Sequence, residues 1–426
     1  MKLLATGELT RLAPDLRKKV LERGGPEPGI ARDVTAIRDA VLARGDDALR
    51  ELTERFDGAK LGSLEVPRAE AEAALARLPR DVADALRAAH ANIARFHQAL
   101  LPGPVEIEVV PGLRAGRRPI PLARVGAYVP GGRATYPSTV LMTATPAKVA
   151  GVREVVVATP PGPDGKVPDA TLAACAIAGV DRVYRVGGAQ AIFALAFGTA
   201  TIPRVDKIVG PGNAWVAAAK AAVAAHVAID APAGPSEVLV LADETADPAL
   251  VAAEMLAQAE HDPRAACVAL VANPAEVEKA MEAQLANAPR RDVIEASLAR
   301  AGAVLSSSRE DALAFADAYA PEHLVLLTRA PRDDLARLSS YGSAFLGPWS
   351  SVAFGDYASG PNHVLPTLGL ARGYSGLSVD DFLRRPTHQE ATAAAARLLS
   401  PLAETLATLE GLPAHAAAAR LRRERA

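Results

Sequence analysis

The stretch VDKIVGPGNAWVAAAKAAVAAHVAID, residues 205–230, decides the fold class of this chain. A short β-rich run leads into a Gly-Pro-Gly turn, an alanine-rich helical run follows, and a second apolar run ends at Asp230. Strand, turn, helix and strand in this order are typical of a βαβ unit with parallel strands. The stretch therefore predicts an α/β protein.

The Gly-Pro-Gly turn also bears on function. Gly210 and Gly212 match the first two glycines of the dinucleotide-binding pattern G-x-G-x-x-G, although Trp215 stands at the third. Asp230 lies near the place where an acid that binds a ribose is expected. A turn of this kind also occurs wherever a backbone bends sharply, so both readings stay open.

The alternation of strands and helices continues on both sides of this stretch. It includes the strand-like runs EVVVATPP (154–161), RVYRVGG (182–188), SEVLVLAD (236–243), AACVALVAN (265–273) and EHLVLLT (322–328). We predict two Rossmann-like parallel-sheet domains, the second inserted in the first, with small helical segments at both termini. The predicted boundaries are an N-terminal segment at 1–24, a larger α/β domain at 25–127 and 235–377, an inserted domain at 128–234 and a C-terminal helical arm at 378–426.

Composition excludes several classes of protein. The chain has 426 residues, half of them apolar, and a formal charge of −2, with no block of like charge long enough to bind nucleic acid. No apolar run approaches the roughly 20 residues of a membrane span, and the start lacks the apolar core of a signal peptide. Cys175 and Cys267 lie in apolar runs, as in proteins of reducing compartments. We expect a cytoplasmic protein.

Glu322 and His323 stand side by side where a loop enters an apolar run. Imidazole titrates near neutral pH and suits a general base, and the neighbouring carboxylate could activate water. Adjacent residues of a strand point to opposite faces, so both reach one substrate only if the backbone bends, which Pro321 favours. A strand-end pair that faces solvent is the alternative.

Three further groups of residues could carry chemistry. Gln258 and His261 are spaced to project from one helix face and could bind a metal, or His261 could simply cap the helix. Asp356 and His363 lie in the glycine- and proline-rich segment GDYASGPNHVLPT (355–367), whose composition suits a functional loop. His415 alone, in a helical run, predicts only a solvated side chain.

The chain resembles histidinol dehydrogenases in a series of motifs that follow that family's order. The motifs are RVGAYVPGGRATYPSTVLMTATPAKVAGV (124–152), VGGAQAIFALAFGT (186–199), VDKIVGPGNAWVAAAK (205–220), IDAPAGPSEVLVLAD (229–243), LAQAEHDP (256–263), YAPEHLV (319–325), GDYASGPNHVLPT (355–367) and EGLPAH (410–415). The first hundred residues agree in character more than in motif.

The resemblance implies a zinc- and NAD-dependent enzyme that oxidises L-histidinol through L-histidinaldehyde to L-histidine with two NAD, the last step of histidine biosynthesis. His323 would be the base of both oxidations and Glu322 would activate the water that hydrates the aldehyde. The implied zinc ligands, one ion per subunit, are Gln258, His261, Asp356 and His415. Those residues, with Ser236, His323 and Glu410, would surround the substrate, and His363 would lie near it. Tyr128, Gln190 and Asn213 would contact NAD.

The resemblance also implies a homodimer in which the partner subunit supplies Glu410 and His415. Glu260 and His388 have no role that the motifs assign. Three rival functions remain: a zinc hydrolase that uses Glu322, a binding protein or regulator that has kept the fold, and a related oxidation of another amino alcohol or a sulfonated diol. The absence of an H-E-x-x-H helix disfavours the hydrolase, and Glu410 and His415 at the expected imidazole end favour histidinol.

Overall fold

The computed structural model of the chain describes residues 1–23, 29–131, 135–232 and 234–426. It divides into two compact units, one of Met1–Ala99 with Ala123–Phe382 and one of Leu100–Leu122 with Leu383–Ala426. The predicted boundary between residues 24 and 25 lies outside the described residues, and the other predicted boundaries stay predictions. No helix in the described part of the chain is long and apolar enough to cross a membrane.

The strands in chain order are β1 Ala5–Glu8, β2 Glu65–Val66, β3 Val105–Val110, β4 Leu113–Arg117, β5 Ile120–Pro121, β6 Arg124–Tyr128, β7 Glu154–Thr159, β8 Arg182–Arg185, β9 Lys207–Val209, β10 Ala228–Ile229, β11 Glu237–Ala242, β12 Ala266–Val271, β13 Gly302–Ser306, β14 His323–Leu327, β15 Ser343–Leu346, β16 Leu383–Arg384 and β17 Thr387–Ala391.

The α-helices are α1 Pro14–Glu22, α2 Ile30–Arg44, α3 Asp46–Asp57, α4 Arg68–Arg77, α5 Arg80–Ala99, α6 Pro137–Val149, α7 Asp169–Ala178, α8 Gly188–Phe197, α9 Ala214–Val223, α10 Pro248–Ala259, α11 Pro274–Leu285, α12 Arg291–Ala301, α13 Arg309–Tyr319, α14 Pro331–Leu335, α15 Val352–Tyr357, α16 Ala393–Leu409 and α17 Pro413–Arg425. Short 3-10 helices occur at Leu9–Arg11, Leu370–Arg372 and Val379–Phe382.

The first sheet has the order β1-β13-β12-β11-β14-β15, and its pairings are parallel. Side chains of β11 alternate between two apolar clusters, with Val238 and Val240 in one and Leu239 and Leu241 in the other. Both faces of the sheet are therefore covered, which explains why its strands are continuous apolar runs.

The second sheet has the order β10-β9-β6-β7-β8-β2 and is parallel except for β2, which pairs antiparallel with β8. Among the parallel strands of this sheet, β6 comes first in the chain, and it has the next two, β7 and β8, on one side and the last two, β9 and β10, on the other. In the first sheet, β11 is related to β12, β13, β14 and β15 in the same way. Each sheet thus has a topological switch point, between β6 and β9 in one and between β11 and β14 in the other.

The predicted fold class is confirmed, since the strands of the second sheet fall between β1 and β11 in the chain. The sequence reading missed β1, which pairs Ala5–Glu8 with Ala303–Ser306 at the edge of the first sheet. Only Ala5 of this four-residue strand is buried, so no apolar alternation marks it. The N-terminal segment is therefore a strand followed by a helix.

The second unit combines a small antiparallel sheet with a helix pair. Strand β4 lies between β3 and β17, and α16 packs on α17 through the Ser400 hydroxyl, which donates to Ala419 O at 2.8 Å. His388, which had no assigned role, lies in β17 opposite Gly116, with Nε2 3.3 Å from Glu106 Oε2. This exposed pair gives His388 a structural place in the sheet.

Candidate active site

Glu322 and His323 lie where β14 begins, after a sharp change in backbone direction. Helix α13 ends at Tyr319, and Ala320 follows with a φ of 48°, in the left-handed region that non-glycine residues rarely adopt. Gly342 N–H then donates to Pro321 O at 2.8 Å. A Cβ atom at Gly342 would lie 2.6 Å from Glu322 O, so only glycine lets the two backbones approach this closely.

Both side chains of the pair contact Glu237, the first residue of β11. The Glu322 carboxylate accepts the Glu237 N–H at 2.7 Å, and His323 Nδ1 is 3.0 Å from Glu237 O. Glu322 and His323 are 5% and 4% exposed, and their side chains come within 3.6 Å of each other. The bend before the strand thus brings two adjacent side chains to one neighbour, and a solvent-facing pair does not describe this geometry.

Asp356 brings the loop GDYASGPNHVLPT to this pair. Asp356 Oδ1 is 3.7 Å from His323 Nε2, and Oδ2 is 4.0 Å from His261 Nε2. His363 Nδ1 donates to the backbone oxygen of Asp356 at 2.9 Å. Helix α15, which carries Asp356, is anchored at its start, because Glu254 Oε2 accepts the Val352 N–H at 3.1 Å.

The electrostatics of the pair follow from burial and mutual proximity. Burial raises the pKa of the Glu322 carboxyl group. Burial lowers the pKa of His323, but the negative charges of Glu322 and Asp356 outweigh this effect and raise that pKa overall. The two groups therefore titrate as a coupled pair. Such a pair can take up and release protons under ordinary conditions, as acid–base chemistry requires.

Two residues of the kinds that bind cations are His261, whose Nε2 lies 4.0 Å from Asp356, and Gln258, three residues before it in the chain. Gln258 is 2% exposed, and neither its amide oxygen nor its amide nitrogen has a hydrogen-bond partner among the described residues. A buried amide without a partner is costly, and a cation ligated by its oxygen would satisfy it. Within the described residues no three His, Cys, Asp or Glu side chains form a metal cluster by themselves. Gln258, His261 and Asp356 together still fit a metal ion that takes further ligands from elsewhere.

The predicted NAD residues gather at the carboxyl edge of the second sheet. Tyr128 ends β6, is 3% exposed, and its hydroxyl accepts the Gly188 N–H at 3.1 Å. Gln190 lies in the first turn of α8, and its Oε1 has no partner in the part of the chain that is described. Asn213 caps α9 by accepting the N–H groups of the two residues that follow Ala214, each at 3.1 Å.

Asp230 does not have the role that its position in the sequence suggested. It is buried, accepts the Gly210 N–H at 2.7 Å, and pairs with Lys220, whose amine also donates to Gly210 O at 3.0 Å. Asp230 and Lys220 therefore hold the Gly-Pro-Gly turn from its buried side. The Asp230 carboxylate is thus not free to bind a ribose. Gly210 itself has a φ of 110°, and a Cβ there would meet Tyr128 O at 2.1 Å.

The known proteins that this chain resembles share one family name. The family model described as histidinol dehydrogenase matches residues 25–423. A histidinol dehydrogenase of Methanothermobacter thermautotrophicus is 50% identical over 397 residues, covering 92% of both chains, and one of Halobacterium salinarum is 49% identical over 411 residues, covering 95% of this chain and 96% of its own.

The chain belongs to the histidinol dehydrogenase family. A crystal structure of histidinol dehydrogenase from Elizabethkingia anophelis also matches, with a TM-score of 0.95, 36% identity, and coverage of 100% of this chain and 99% of that one. The family predicted from the motifs is thereby confirmed.

The structure connects the two sheets of this histidinol dehydrogenase family member through α6, the helix that follows β6. Thr139 Oγ1 is 3.4 Å from His363 Nε2, and Asn362 donates its side-chain N–H to Met142 O at 2.6 Å. Both contacts join the helix to the loop that carries Asp356. The sequence offered no signal for Thr139 or Asn362 beyond their place in long motifs.

The remaining predicted residues have different positions. Ser236 immediately precedes β11, and its backbone oxygen accepts the Ala266 N–H at 3.0 Å, so it adjoins Glu237. Glu410 and His415 belong to the second unit and are exposed. Glu260 is the exposed C-cap residue of α10. Glu237 was missed because it reads as the first residue of a buried strand.

Proposed function

We propose that this chain oxidises L-histidinol through L-histidinaldehyde to L-histidine with two NAD, the last step of histidine biosynthesis. The relatives and the solved structure are named histidinol dehydrogenase. The observation that carries the proposal is the Glu322–His323 pair, buried against Glu237 with His323 3.7 Å from Asp356. A base, a second carboxylate and cation-binding groups are the components that this reaction needs.

His323 would act in both oxidations. In the first, it takes the hydroxyl proton of histidinol while hydride leaves the same carbon for NAD, giving the aldehyde and NADH. Glu322 then takes a proton from water as the water oxygen bonds to the aldehyde carbon, and the protonated His323 returns its proton to the former carbonyl oxygen, giving the hydrate and a neutral His323. His323 takes a hydroxyl proton of the hydrate as the second hydride leaves, giving the carboxylic acid, which loses its remaining proton to water as the carboxylate of histidine. The hydrate makes a cysteine nucleophile unnecessary, which agrees with Cys175 and Cys267, whose thiol pKa burial raises to about 12.

NAD would bind at the carboxyl edge of the second sheet. This edge lies at the switch point between β6 and β9, where open α/β sheets bind nucleotides. Tyr128, Gln190 and Asn213 would contact the dinucleotide there. The amino ends of α8 and α9 also present backbone N–H groups at this edge, which favour a pyrophosphate.

Gln258, His261 and Asp356 would hold one zinc ion per subunit, with His415 as the fourth protein ligand. When bound, zinc would hold the substrate through its imidazole and amino nitrogens. The buried Gln258 amide without a partner supports this assignment. Asp356 would then serve the metal with its carboxylate while its backbone oxygen holds His363.

A homodimer would complete the site. Leu398, Leu402, Leu406 and Leu409 recur along α16 and are each more than half exposed, an apolar stripe that a soluble monomer rarely shows. Glu410 and His415 follow this stripe directly. A partner subunit that covers the leucines would be well placed to receive both residues. We expect the enzyme to act in the cytoplasm.

NADH production tests the activity. Purified protein with zinc, NAD and L-histidinol is followed at 340 nm, and NADH is counted per histidinol consumed. Two NADH with histidine as product supports the proposal. One NADH with free aldehyde contradicts the two-step reaction, and no NADH contradicts the substrate, in which case other amino alcohols and sulfonated diols are tested.

Mixed dimers test the shared site. His323→Ala and His415→Ala subunits, each inactive alone, are unfolded and refolded together. If His415 acts on the neighbouring subunit, random mixing gives one intact site in each mixed dimer and restores about one quarter of the wild-type activity. If His415 acts within its own subunit, mixing restores none.

A further inference from the structure

Glu237 and Arg23 form a buried charge pair behind Glu322 and His323. Their side chains are 1% and 3% exposed, and Arg23 Nε lies 3.3 Å from Glu237 Oε2. A buried ion pair seldom adds net stability, because desolvation offsets the attraction between the charges. Neither residue belongs to the base, the predicted metal ligands or the predicted NAD residues, so a different role must be found from its contacts.

Glu237 holds Glu322 by two hydrogen bonds of opposite direction. Glu237 Oε1 accepts the Glu322 N–H at 3.1 Å, while the Glu237 N–H donates to Glu322 Oε2 at 2.7 Å. Each glutamate thus fixes the other's backbone with its own carboxylate. The backbone position of Glu322, from which its carboxylate reaches the Glu237 N–H, therefore depends on the Glu237 side chain.

Glu237 also sets the orientation of His323. Its backbone oxygen, which can only accept, lies 3.0 Å from His323 Nδ1. The neutral imidazole therefore carries its proton on Nδ1, and Nε2 keeps the free electron pair. No hydrogen-bond partner for Nε2 occurs in the described residues, and it points toward Asp356. The nitrogen that a base needs is left available by this contact.

Arg23 fixes Glu237 and the chain that leads into the pair. Its guanidinium lies 3.4 Å from the ring centroid of Tyr319 and donates to the Tyr319 backbone oxygen. Tyr319 is the last residue of α13, directly before the left-handed Ala320. Leu368 N–H adds a bond to Glu237 Oε2 at 3.2 Å. Without Arg23, the Glu237 carboxylate would lie buried beside the Glu322 carboxylate with His323 as the nearby group that can carry a countercharge.

We propose that Glu237 and Arg23 are positioning residues that hold the Glu322 carboxylate in place and keep His323 Nε2 as the free nitrogen of the ring. The proposal rests on the proposed function of the pair. The N-terminal segment would then help to position the pair, because its helix α1 ends one residue before Arg23.

The test compares Glu237→Gln, Arg23→Met and Arg23→Lys with the control Arg309→Met in the full-length zinc enzyme. Arg309 pairs with the buried Asp334 at 2.6 Å and does not contact Glu322 or His323. For Glu237→Gln and Arg23→Met we expect kcat with histidinol and with histidinaldehyde to fall about 10- to 100-fold, since misplaced catalytic groups lose rate to this extent. KM for NAD should change less than about twofold, because NAD binds at another edge.

Arg23→Lys should recover part of the lost kcat, because it keeps the charge but not the planar contact with Tyr319. Arg309→Met should keep wild-type kcat. Wild-type kcat in folded Glu237→Gln and Arg23→Met would overturn the proposal, and so would an equal loss in Arg309→Met.

Hydrogen exchange tests the contacts independently of activity. The amide of Glu322, followed in a peptide of residues 319–327, should exchange faster in Glu237→Gln than in wild type while the second sheet stays protected. Unchanged exchange would overturn the proposal even if the wild-type protein made no NADH from histidinol. Failure of NADH production in the wild type would instead overturn only the proposed function.

Discussion

The two parallel sheets share one strand order and place their candidate residues at opposite ends of the same pair of strands. In the second sheet, Tyr128 ends β6 and Gly210 follows β9, at the carboxyl edge of the switch point. In the first sheet, Glu237 and His323 begin β11 and β14, at the amino edge of the corresponding pair. The same topology therefore presents two candidate sites at opposite edges.

The two candidate sites differ because the two edges carry different chemical groups. At the carboxyl edge, helices begin, so N–H groups and glycine turns face outward and suit the phosphates of a dinucleotide. At the amino edge of the first sheet, a loop enters buried strands and carries ionisable side chains into the interior. Burial there raises the pKa of Glu322, and the negative charges of Glu322 and Asp356 outweigh burial and raise the pKa of His323; perturbed pKa values of this kind are common at functional sites.

Removal of the predicted base should give the largest loss of kcat. It should also show that catalysis and NADH binding depend on different edges. We expect His323→Ala to lower kcat by about 100-fold or more, a typical loss for a general base. The Kd of NADH, measured by fluorescence, should be unchanged. The matched control is His226→Ala, which removes an exposed histidine near the second sheet and should keep wild-type turnover. Loss of NADH binding in His323→Ala would contradict separate edges.

Glu322→Gln should affect the second oxidation more than the first. The amide keeps the size of the side chain but cannot take a proton from water, so hydration of the aldehyde slows. We expect the ratio of NADH to histidinol to fall from two toward one, with an aldehyde that a hydrazine reagent traps. Glu260→Gln, at the exposed end of α10, is the control. A ratio that stays at two would show that another group activates water.

Asn213→Ala should weaken NAD binding at the carboxyl edge of the second sheet without changing the Glu322–His323 pair. The side chain caps α9, and loss of such a cap costs about 1 kcal/mol of stability. We expect KM for NAD to rise about 3- to 10-fold, with kcat at saturating NAD close to wild type. Steady-state kinetics at varied NAD measure both. The control Asn273→Ala removes the N-cap residue of α11, which has no side-chain capping bond. A fall in kcat without a change in KM would place Asn213 elsewhere.

The smallest expected effect is on the stability of the fold. It comes from His97 and is separate from the pH dependence of Glu322 and His323. His97 is 1% exposed, and burial lowers its pKa to about 4. The unfolded chain binds this proton below about pH 6.5 and the folded chain does not, so stability falls as the pH drops from about 6.5 toward 4. Urea unfolding at pH 7 and pH 5 should show this loss, and His97→Leu should reduce the difference between the two pH values. An unchanged difference would exclude His97 as its source.

The βαβ alternation predicted both sheets because their strands are buried on two faces and so stand out as apolar runs. The Glu322–His323 pair was recognised for the same reason, as two polar residues at the mouth of such a run. Glu237 stands at a strand start too, yet one carboxylate before an apolar run is common and gave no signal. Arg23 could not be predicted, since its partners Glu237 and Tyr319 are far away in sequence.

Asp230 shows that a sequence pattern can also suggest a role that the structure excludes. Its distance from the glycine turn agreed with a ribose-binding acid, but spacing carries no information on the direction of a side chain. Lys220, one helix earlier, determines that direction by pairing with it in the interior. The predicted zinc ligands Gln258, His261, Asp356 and His415 came from the family motifs, because residues so far apart in sequence show no spacing that marks them as one set.

Strand β1 has a consequence for the order in which the chain folds. Ala5 pairs with Ala303, so nearly three hundred further residues must be synthesised after β1 before its neighbour in the sheet exists. The second sheet has all its strands by Ile229 and can fold on the ribosome earlier. Contacts of such long sequence separation form slowly. The first sheet, and with it the candidate site at its amino edge, is therefore completed late in synthesis. A chain truncated before β13 leaves β1 without its neighbouring strand.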